Sequence, residues 1–488
     1  MVPTPHQPAI AGAAQLIQRP GEQPLGDARG PIELMVAAAR AAADDAGAPG
    51  LLARVGWIGV VPGWYRFNDP GRLVAEQLGC AGASTALSAI SGTAAQDLLG
   101  LACARIAAGD LDVALVLGGE ARWTSTRLKQ LGQEPGWRQD DTSSEPEHVS
   151  GFPDEMLAEL KVLGSAAGAY ALFEDRLRSA AGESPVEHTA RIAELWARFS
   201  AVAAGNPYAW DRTAHRAAEI GTPSADNRMI AAPYTKAMVA NNTVDMASAL
   251  LVCSAEAARR AGVGADRLVF PQVVTRAHET WRVAERRELH QSPALAAAGH
   301  AAFDRAGVAP GEIDHVDLYA CFPSIVQMSS AALGLDTNRP LTLTGGLGFA
   351  GAPIANAAGQ ALAAMVPRVR EGGWALVHGN GGWATKQSFG IYRNTPPPAG
   401  FADLDVQDDV DLAPRHVHAD DWSGACTVEA ATVLYDRDGP SRLLAAVLDA
   451  DGTRAWATST RADVLATAEA DGLAGLPAAR GTDGELLL

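Results

Sequence analysis

The 488-residue sequence has few aromatic side chains and no cluster of positive charge. Aromatic residues make up only 6% of the chain, whereas alanine and glycine are abundant, which suits close packing of helices on sheets. Acidic residues outnumber basic ones, 56 against 39, so the net charge is −17. Because nucleic-acid binding needs a basic surface, we expect no nucleic-acid partner.

Patterned cysteines and long apolar runs are also missing. The five cysteines are scattered, odd in number and without a C-x-x-C pair, so we expect reduced thiols and neither a disulfide framework nor a metal site. No apolar run approaches the roughly 18 residues of a membrane-spanning helix without a glycine or a charge. Residues 1–8 lack the hydrophobic core of a signal peptide. These absences predict a cytoplasmic protein without a membrane span.

What the sequence does contain is a repeated alternation of strands and helices. Strand and helix patterns alternate over residues 1–120, close with a further strand and helix in 241–270, and begin again over 271–395. Such alternation predicts largely parallel sheets covered by helices on both faces. The recurrence of the pattern predicts a duplicated α/β fold.

Three further segments complete the predicted organisation. Residues 121–240 break the alternation, which predicts an inserted loop or cap domain. Residues 396–411 begin with three prolines and continue with an acidic stretch, which is typical of a linker. Residues 412–488 alternate like strands and carry turn sequences at 436–439 and 449–452, which predict a small antiparallel β barrel or sandwich.

One stretch places reactive side chains where chemistry is expected. The strand pattern at residues 315–318 ends in Tyr319 and Cys321, and Pro323 then opens an apolar helix. Open α/β sheets place their ligands at the carboxyl ends of strands. Tyr319 and Cys321 are therefore candidate site residues.

Five ordered motifs carry a family resemblance. They are GNPYAW at 205–210, DNRMIAAPYTKAM at 226–238, DHVDLYACFPSIVQ at 314–327, TGGLGFAGAP at 344–353 and HGNGGWATK at 378–386. With the duplicated α/β pattern, they resemble the thiolase superfamily, and most of all thiolase-like protein type 1 and the actinobacterial acetyl-CoA acetyltransferase-like proteins. The resemblance implies a duplicated βαβαβαββ fold in five αβαβα layers, with an inserted loop domain and an additional C-terminal β domain.

The same resemblance implies that two catalytic groups are missing. Thiolases carry a nucleophilic cysteine before the third helix of the first half, and here Ala89 takes that position. Their activating histidine follows a glycine in a later loop, and here the loop reads Gly351-Ala352-Pro353. Ser91 is either a weak substitute nucleophile or a helix cap. Ordinary thiolysis and Claisen condensation are therefore not expected.

Two titratable groups remain at the other catalytic positions. Tyr319 replaces the asparagine or histidine of the second loop and is either an acid or base, as in a related lyase branch, or structural. His378 replaces the cysteine of the fourth loop and is either a general base or a structural hydrogen-bonding group. Cys321 retains the family's Cys-Phe pair, at a position more structural than nucleophilic. The resemblance also implies a set of ligand-lining residues: Ser91, Gly92, Phe322, Gly346, Gly351, Asn380 and Gly381.

Three functions stay open on the sequence. The first is binding of an acyl-CoA or a related thioester without turnover, with Trp210, Arg228 and Lys236 as candidate coenzyme A contacts; each has a surface or packing role as its alternative. The second is retro-aldol or altered acyl-transfer chemistry using Tyr319 or His378. The third is a scaffold subunit. We expect no tightly bound cofactor, a monomer or homodimer, and a possible protein partner at the C-terminal domain.

Overall fold

A computed structural model describes residues 3–137 and 143–488, and within these ranges the strands form three sheets. The strands of the first half and of the insertion are β1 (Pro8–Ile17), β2 (Trp57–Val61), β3 (Ser84–Ser88), β4 (Val113–Ala121), β5 (Glu147–Val149), β6 (Met229–Ala231), β7 (Tyr234–Thr235) and β8 (Asp245–Ser254). The helices of this part are α1 (Pro31–Asp45), α2 (Pro70–Leu78), α3 (Ala94–Ala108), α4 (Arg122–Gln130), α5 (Asp154–Leu163), α6 (Ala166–Ala181), α7 (Pro185–Gly205), α8 (Ala217–Gly221) and α9 (Ala255–Ala261).

The second half and the C-terminal domain follow. Their strands are β9 (Phe270–His278), β10 (His315–Asp317), β11 (Ala375–Gly381), β12 (Lys386–Arg393), β13 (Ala402–Asp405), β14 (Gly424–Tyr435), β15 (Pro440–Leu448), β16 (Arg454–Ser459), β17 (Pro477–Arg480) and β18 (Leu486–Leu487). Their helices are α10 (Pro293–Ala306), α11 (Pro323–Leu333), α12 (Ala357–Glu371), α13 (Gln407–Asp411) and α14 (Ala462–Ala470).

The first two sheets sandwich a central helical layer. The first sheet has the order β1-β8-β4-β2-β3-β5 and the second the order β10-β11-β12-β9-β13. Helices α3 and α12 contact strands of both sheets, whereas α1 and α10 pack on the outer faces of the first and second sheet. This is the five-layer duplicated α/β arrangement predicted from the sequence. It directs the start of α3 toward the loops of the second half.

Local sequence explains where the site-forming elements begin and end. Strand β4 is buried along its whole length because every side chain in it is apolar, glycine or a satisfied carboxylate. Helix α3 ends at Gly109, whose φ of +84° is a left-handed conformation that favours glycine. Helix α11 begins at Pro323, which fits the first turn of a helix because no backbone donor is needed there.

The predicted linker at 396–411 is wrong. Residues 402–405 form β13, which pairs in parallel with β9, and residues 407–411 form α13. The Asp403 carboxylate accepts from Arg276 at 2.5 Å, and Leu404 and Val406 pack against the central core. In the sequence this acidic stretch has the composition of a linker. In the structure its Asp403 carboxylate pairs with Arg276 of β9, which is distant in the chain.

The insertion is more integrated than a separate cap. Strand β5 extends the first sheet beside β3, and Ala231 of β6 pairs with Leu434 in the C-terminal sheet. The third sheet has the order β16-β15-β14-β17-β18, and the predicted hairpin turns at 436–439 and 449–452 join its first strands. The prediction of an inserted loop or cap domain at residues 121–240 did not include these strands, because short strands of two or three residues leave no clear alternating pattern.

Candidate functional site

Three of the loops singled out in the sequence, around residues 91, 319 and 380, meet at the start of α3. A Cβ atom added to Gly92 would lie 2.0 Å from the Asn380 carbonyl oxygen and 2.5 Å from the Tyr319 Cζ and hydroxyl. One added to Gly381 would lie 2.1 Å from the Ser91 Oγ. Backbone and side chains approach so closely that only glycine fits at both positions. The sequence-predicted residues Ser91, Gly92, Tyr319, Asn380 and Gly381 thus form one cluster, here called the loop cluster.

Ala89, which the family resemblance places at the nucleophile position, has an aliphatic side chain. The Ala89 amide donates to the Val149 carbonyl at 3.1 Å. The Ser91 Oγ lies 2.8 Å from the Thr93 Oγ1, which in turn donates to Asp97 at 2.8 Å. Ser91 also accepts from the Thr93 amide at 3.3 Å, and Thr93 is the residue that precedes the first turn of α3. The Ser91 hydroxyl is therefore engaged within the loop before the helix and does not cap the helix.

His378 is held by protein partners at both ring nitrogens. Its Nδ1 accepts from the Tyr319 amide at 3.4 Å, and its Nε2 lies 2.9 Å from the Gln387 Oε1. The Gln387 Nε2 donates to the Ala384 carbonyl and to Asn380, which leaves the amide oxygen of Gln387 facing the ring. His378 is therefore protonated at Nε2 and neutral. It is 1% exposed, and burial lowers its pKa to about 4. The geometry favours the structural alternative over a general base.

Tyr319 is buried between the start of α3 and a small pocket. Burial raises its pKa above the ordinary value, with a further contribution from Cys321, so the phenol stays protonated. The pocket beside Tyr319, Tyr208 and Gly351 has a volume of only about 10 Å³. That is about the space of one water molecule. A phenol with a raised pKa in so small a pocket is suited to packing or to donating a hydrogen bond, and neither gives up its proton easily nor acts as a base.

Cys321 is an inert thiol in this environment. Burial raises its pKa to about 12, so a negligible fraction is thiolate at neutral pH. Its Sγ lies 3.7 Å from the Asn380 Nδ2. The neighbouring Phe322 is buried and stacks on Tyr170, with ring centroids 4.5 Å apart. The pair Cys321-Phe322 therefore has the packing role that the family pattern favours.

Tyr170 is the member of this region that the sequence did not reveal. It comes from α6 of the insertion, and its hydroxyl accepts from the Asn380 Nδ2 at 2.7 Å and from the Ala384 amide at 2.9 Å. In the sequence it is one apolar-face residue of a predicted helix, with no motif around it. Only the docking of α6 on the second half brings it to the loop cluster.

The third loop, residues 344–353, is closed by packing. Gly346 has φ +78°, and a Cβ there would lie 2.9 Å from the Phe199 ring. Gly351 has φ +99°, and its Cβ would lie 2.8 Å from the Met246 sulfur. Ala352 is 1% exposed, and its amide donates to the Asn241 carbonyl at 2.9 Å. The Ala352 side chain is therefore a buried methyl group within a packed loop.

A much larger cleft, of about 1030 Å³, lies on the other side of this third loop. Trp210, Lys236, Arg122 and Trp123 line it, and the two indoles lie 6.4 Å apart. We call it the wide cleft. Two of the candidate coenzyme A contacts, Trp210 and Lys236, thus line the same cleft. Arg122 and Trp123 were missed, although they directly follow the carboxyl end of β4, where ligand sites are expected.

Arg228 does not line the wide cleft. Its guanidinium is exposed and donates to the Met229 carbonyl at 2.9 Å. The motif around it is mainly structural. The Asn227 side chain holds the carbonyls of Glu219 and Ile220, and the Tyr234 hydroxyl bonds Glu174 at 2.8 Å in the core. The turn alternative is therefore favoured for this motif, apart from Lys236.

The described residues offer no metal site and no single membrane-spanning helix. Among residues 3–137 and 143–488, no group of three or more His, Cys, Asp or Glu side chains is placed to hold a metal ion. In the same ranges no single helix is long and apolar enough to cross a membrane, although α5 and α6 pass the length and composition test as a pair bent by 78°.

Two family models match the chain. Residues 405–485 match the thiolase-like protein type 1 additional C-terminal domain, and residues 275–338 match the thiolase C-terminal domain-like family. No curated protein sequence matches.

Solved structures give a longer match. A monomeric SCP2-thiolase like protein type 1 from Mycobacterium smegmatis aligns over 98% of this chain and 97% of its own, with 29% identity and a TM-score of 0.82. An Ltp2-ChsH2(DUF35) aldolase aligns over 79% of this chain and 98% of its own, with 18% identity and a TM-score of 0.59. An acetyl-CoA acetyltransferase from Syntrophomonas wolfei covers 80% and 99%, with 16% identity and a TM-score of 0.57. At those lower identities the last two share the fold alone. Together the two family models and these structural matches support the thiolase superfamily for this chain, with residues 405–485 as the additional C-terminal domain of thiolase-like protein type 1.

Proposed function

We propose that this protein binds an acyl-CoA or a related thioester in the wide cleft and does not catalyse ordinary thiolysis or Claisen condensation. The observation that carries the proposal is the contrast in space. About 1030 Å³ lies open beside Trp210 and Lys236, whereas about 10 Å³ remains beside Tyr319.

The wide cleft has the chemistry of a coenzyme A thioester site. Its volume is at the upper end of the roughly 300–1,000 Å³ of ligand pockets. The indoles of Trp123 and Trp210 offer flat apolar surface to an adenine ring or a pantetheine arm. Lys236 and Arg122 offer positive charge to phosphates.

The acidic residues of the cleft do not neutralise Lys236. Asp211 lies 2.8 Å from His215, and Glu219 lies 2.5 Å from Arg216. Within the part of the chain that the structure describes, no carboxylate lies within 4 Å of the Lys236 ammonium. A phosphate could therefore pair with the Lys236 ammonium without breaking an ion pair within the protein.

The loop cluster supports the second part of the proposal, the absence of ordinary thiolysis. Thiolysis needs a thiolate, a base for it and an oxyanion site. Ala89 and Ala352 remove the first two, and Cys321 stays a protonated thiol because burial raises its pKa to about 12. No other side chain in the cluster has both the position and the protonation state of a nucleophile.

The alternative of a lyase or altered acyl transferase rests on Tyr319 or His378. A buried, protonated Tyr319 can act only as a proton donor, and both nitrogens of His378 are occupied. A substrate would also have to displace the packed side chains around the small pocket. The scaffold alternative remains for the case that no thioester binds.

Calorimetry with CoA and acetyl-CoA, followed by a thiolysis assay with acetoacetyl-CoA, tests the proposal. Binding without turnover is expected, and Trp210→Ala and Lys236→Gln should each weaken it about tenfold, which is about 1.4 kcal/mol. Trp374→Ala and Arg228→Gln are matched controls, because neither residue lines the wide cleft. Turnover that is lost in His378→Gln or Tyr319→Phe would establish the enzyme alternative, and absence of binding would leave the scaffold.

A further inference from the structure

A second cavity, of about 480 Å³, lies behind the loop cluster. It is lined by Asp97 and Leu101 of α3, Val149 of β5, His278 at the end of β9, Trp281 after it, and Lys386 at the start of β12. We call it the rear cavity. It shares no lining residue with the wide cleft.

The rear cavity has a flat apolar wall. The Trp281 indole stacks on the His278 ring, with centroids 4.0 Å apart and 25° between the planes. The His278 Nδ1 is 2.8 Å from the Glu279 carbonyl oxygen, which fixes the orientation of the ring. Leu101 and Val149 add aliphatic surface. A planar apolar group fits such a wall better than a flexible polar chain.

Lys386 brings a cation without an ion-pair partner to this wall. Its ammonium lies 4.6 Å from the Phe152 ring centroid and 5.9 Å from that of Trp281, and it bonds the Ser150 Oγ at 3.1 Å. No carboxylate of the described ranges lies within 4 Å of it. The other cation of the cavity, Arg276, is already paired with Asp403 at 2.5 Å and Asp405 at 3.6 Å. An incoming anion would therefore pair with Lys386.

The acidic groups limit the charge of that anion. Asp97 bonds the Thr93 hydroxyl, and burial raises its pKa to about 6, while Asp403 and Asp405 stay beside Arg276. A doubly charged phosphate would face these three carboxyls with only one free cation opposite. A single negative charge suits the balance of the cavity better. Asp97 can also accept a hydrogen bond from a hydroxyl or amine of the ligand.

We propose that the rear cavity is a binding site for a small organic monocarboxylate with a planar apolar body. The ligand carboxylate pairs with Lys386, and the apolar body lies on Trp281 and Leu101. This site is separate from the thioester site and does not depend on it.

The test is a calorimetric titration of the full chain with trans-cinnamate, with cinnamyl alcohol and phenyl phosphate as the uncharged and doubly charged comparisons. Cinnamate should bind in the millimolar range or tighter, and the other two should bind at least about tenfold more weakly. Lys386→Met should weaken cinnamate binding about tenfold, Lys386→Arg should retain it, and Lys161→Met, an exposed lysine outside the cavity, should leave it unchanged.

Four results would overturn the assignment. They are no heat with cinnamate, equal binding of the alcohol, tighter binding of phenyl phosphate, and wild-type affinity in Lys386→Met. A competition titration with CoA separates the two sites, because displacement of cinnamate by CoA would place it in the wide cleft instead. Cinnamate binding in a protein that fails to bind CoA would support the rear cavity and reject the thioester proposal.

Discussion

The loop cluster and the wide cleft lie on opposite sides of residues 344–353, and they differ in nearly every physical property. In the cluster Gly92 lies close to Tyr319 and to the Asn380 carbonyl, and the pocket on the other side of Tyr319 has a volume of about 10 Å³. The cleft is open, with about 1030 Å³ between indoles and cations. The difference teaches that packing leaves little free space beside Tyr319 and much beside Trp210. The proposed thioester binding and the proposed absence of turnover therefore concern two different regions and can be tested separately.

The largest effect is expected where the loop cluster is most tightly packed. Gly92→Ala should lower the free energy of unfolding by roughly 3 kcal/mol, because its methyl group meets the Asn380 carbonyl and the Tyr319 ring. Gly82→Ala is the matched control, since no atom lies within 4 Å of its Cβ, and its effect should stay within about 0.5 kcal/mol. Urea unfolding measures both.

A double variant separates the two clashes that Gly92→Ala creates. Adding Tyr319→Ala to Gly92→Ala should recover only part of the loss, because the clash with the Asn380 backbone remains. If Gly92→Ala and Gly82→Ala had equal free energies of unfolding, the loop cluster would have room for a methyl group. The loop cluster would then not be more tightly packed than the wide cleft.

The next effect is the pH dependence that His378 imparts. Its pKa is about 4 in the folded protein and about 6.5 when unfolded, so the unfolded state binds the proton more tightly. The contribution of His378 to stability is therefore complete above pH 6.5 and is lost as the pH falls toward 4. The loss approaches about 3 kcal/mol, from 1.36 kcal/mol per pKa unit.

Unfolding free energies at a series of pH values test this expectation, with His378→Gln as the variant that removes the group. Asp97 acts in the opposite direction, because its raised pKa of about 6 makes stability fall as the pH rises from about 4 to 6. Asp97→Asn separates the two contributions. An unchanged pH profile in His378→Gln would mean that the ring is solvated, and the cluster would then be open to a substrate.

The smallest effect is expected from introducing a thiol at position 89 and an imidazole at position 352, the two groups whose absence the proposed function invokes. Ala89→Cys combined with Ala352→His should show no thiolysis of acetoacetyl-CoA above that of the wild type, because the pocket beside Tyr319 still holds about one water. The absorbance assay for acetoacetyl-CoA measures this, and Ala89→Ser with Ala352→His is the control without a thiol. Clear turnover by the cysteine variant would show that substrate enters the cluster, and would remove the distinction between the two regions.

Much of the fold and part of the site were predictable, for identifiable reasons. The buried strand at 113–121 and the glycine-terminated α3 follow from local patterns, since an apolar run and a left-handed glycine need no distant partner. The convergence of Ser91, Tyr319 and Asn380 followed from the order of the family motifs. The contacts of β13 and Tyr170 were not predictable, because an acidic strand and a helix residue acquire their roles only from the elements that they meet.

The sequence by itself determined which reactive atoms this protein has, because an alanine at positions 89 and 352 supplies no thiolate and no imidazole in any conformation. Only the tertiary structure decided the state of the groups that remain. Tyr319, Cys321 and His378 are titratable in the sequence, but burial and fixed hydrogen bonds shift their pKa values away from the range useful for base or nucleophile. The free space beside them is likewise a property of packing, since it depends on how α6 and residues 344–353 close over the start of α3.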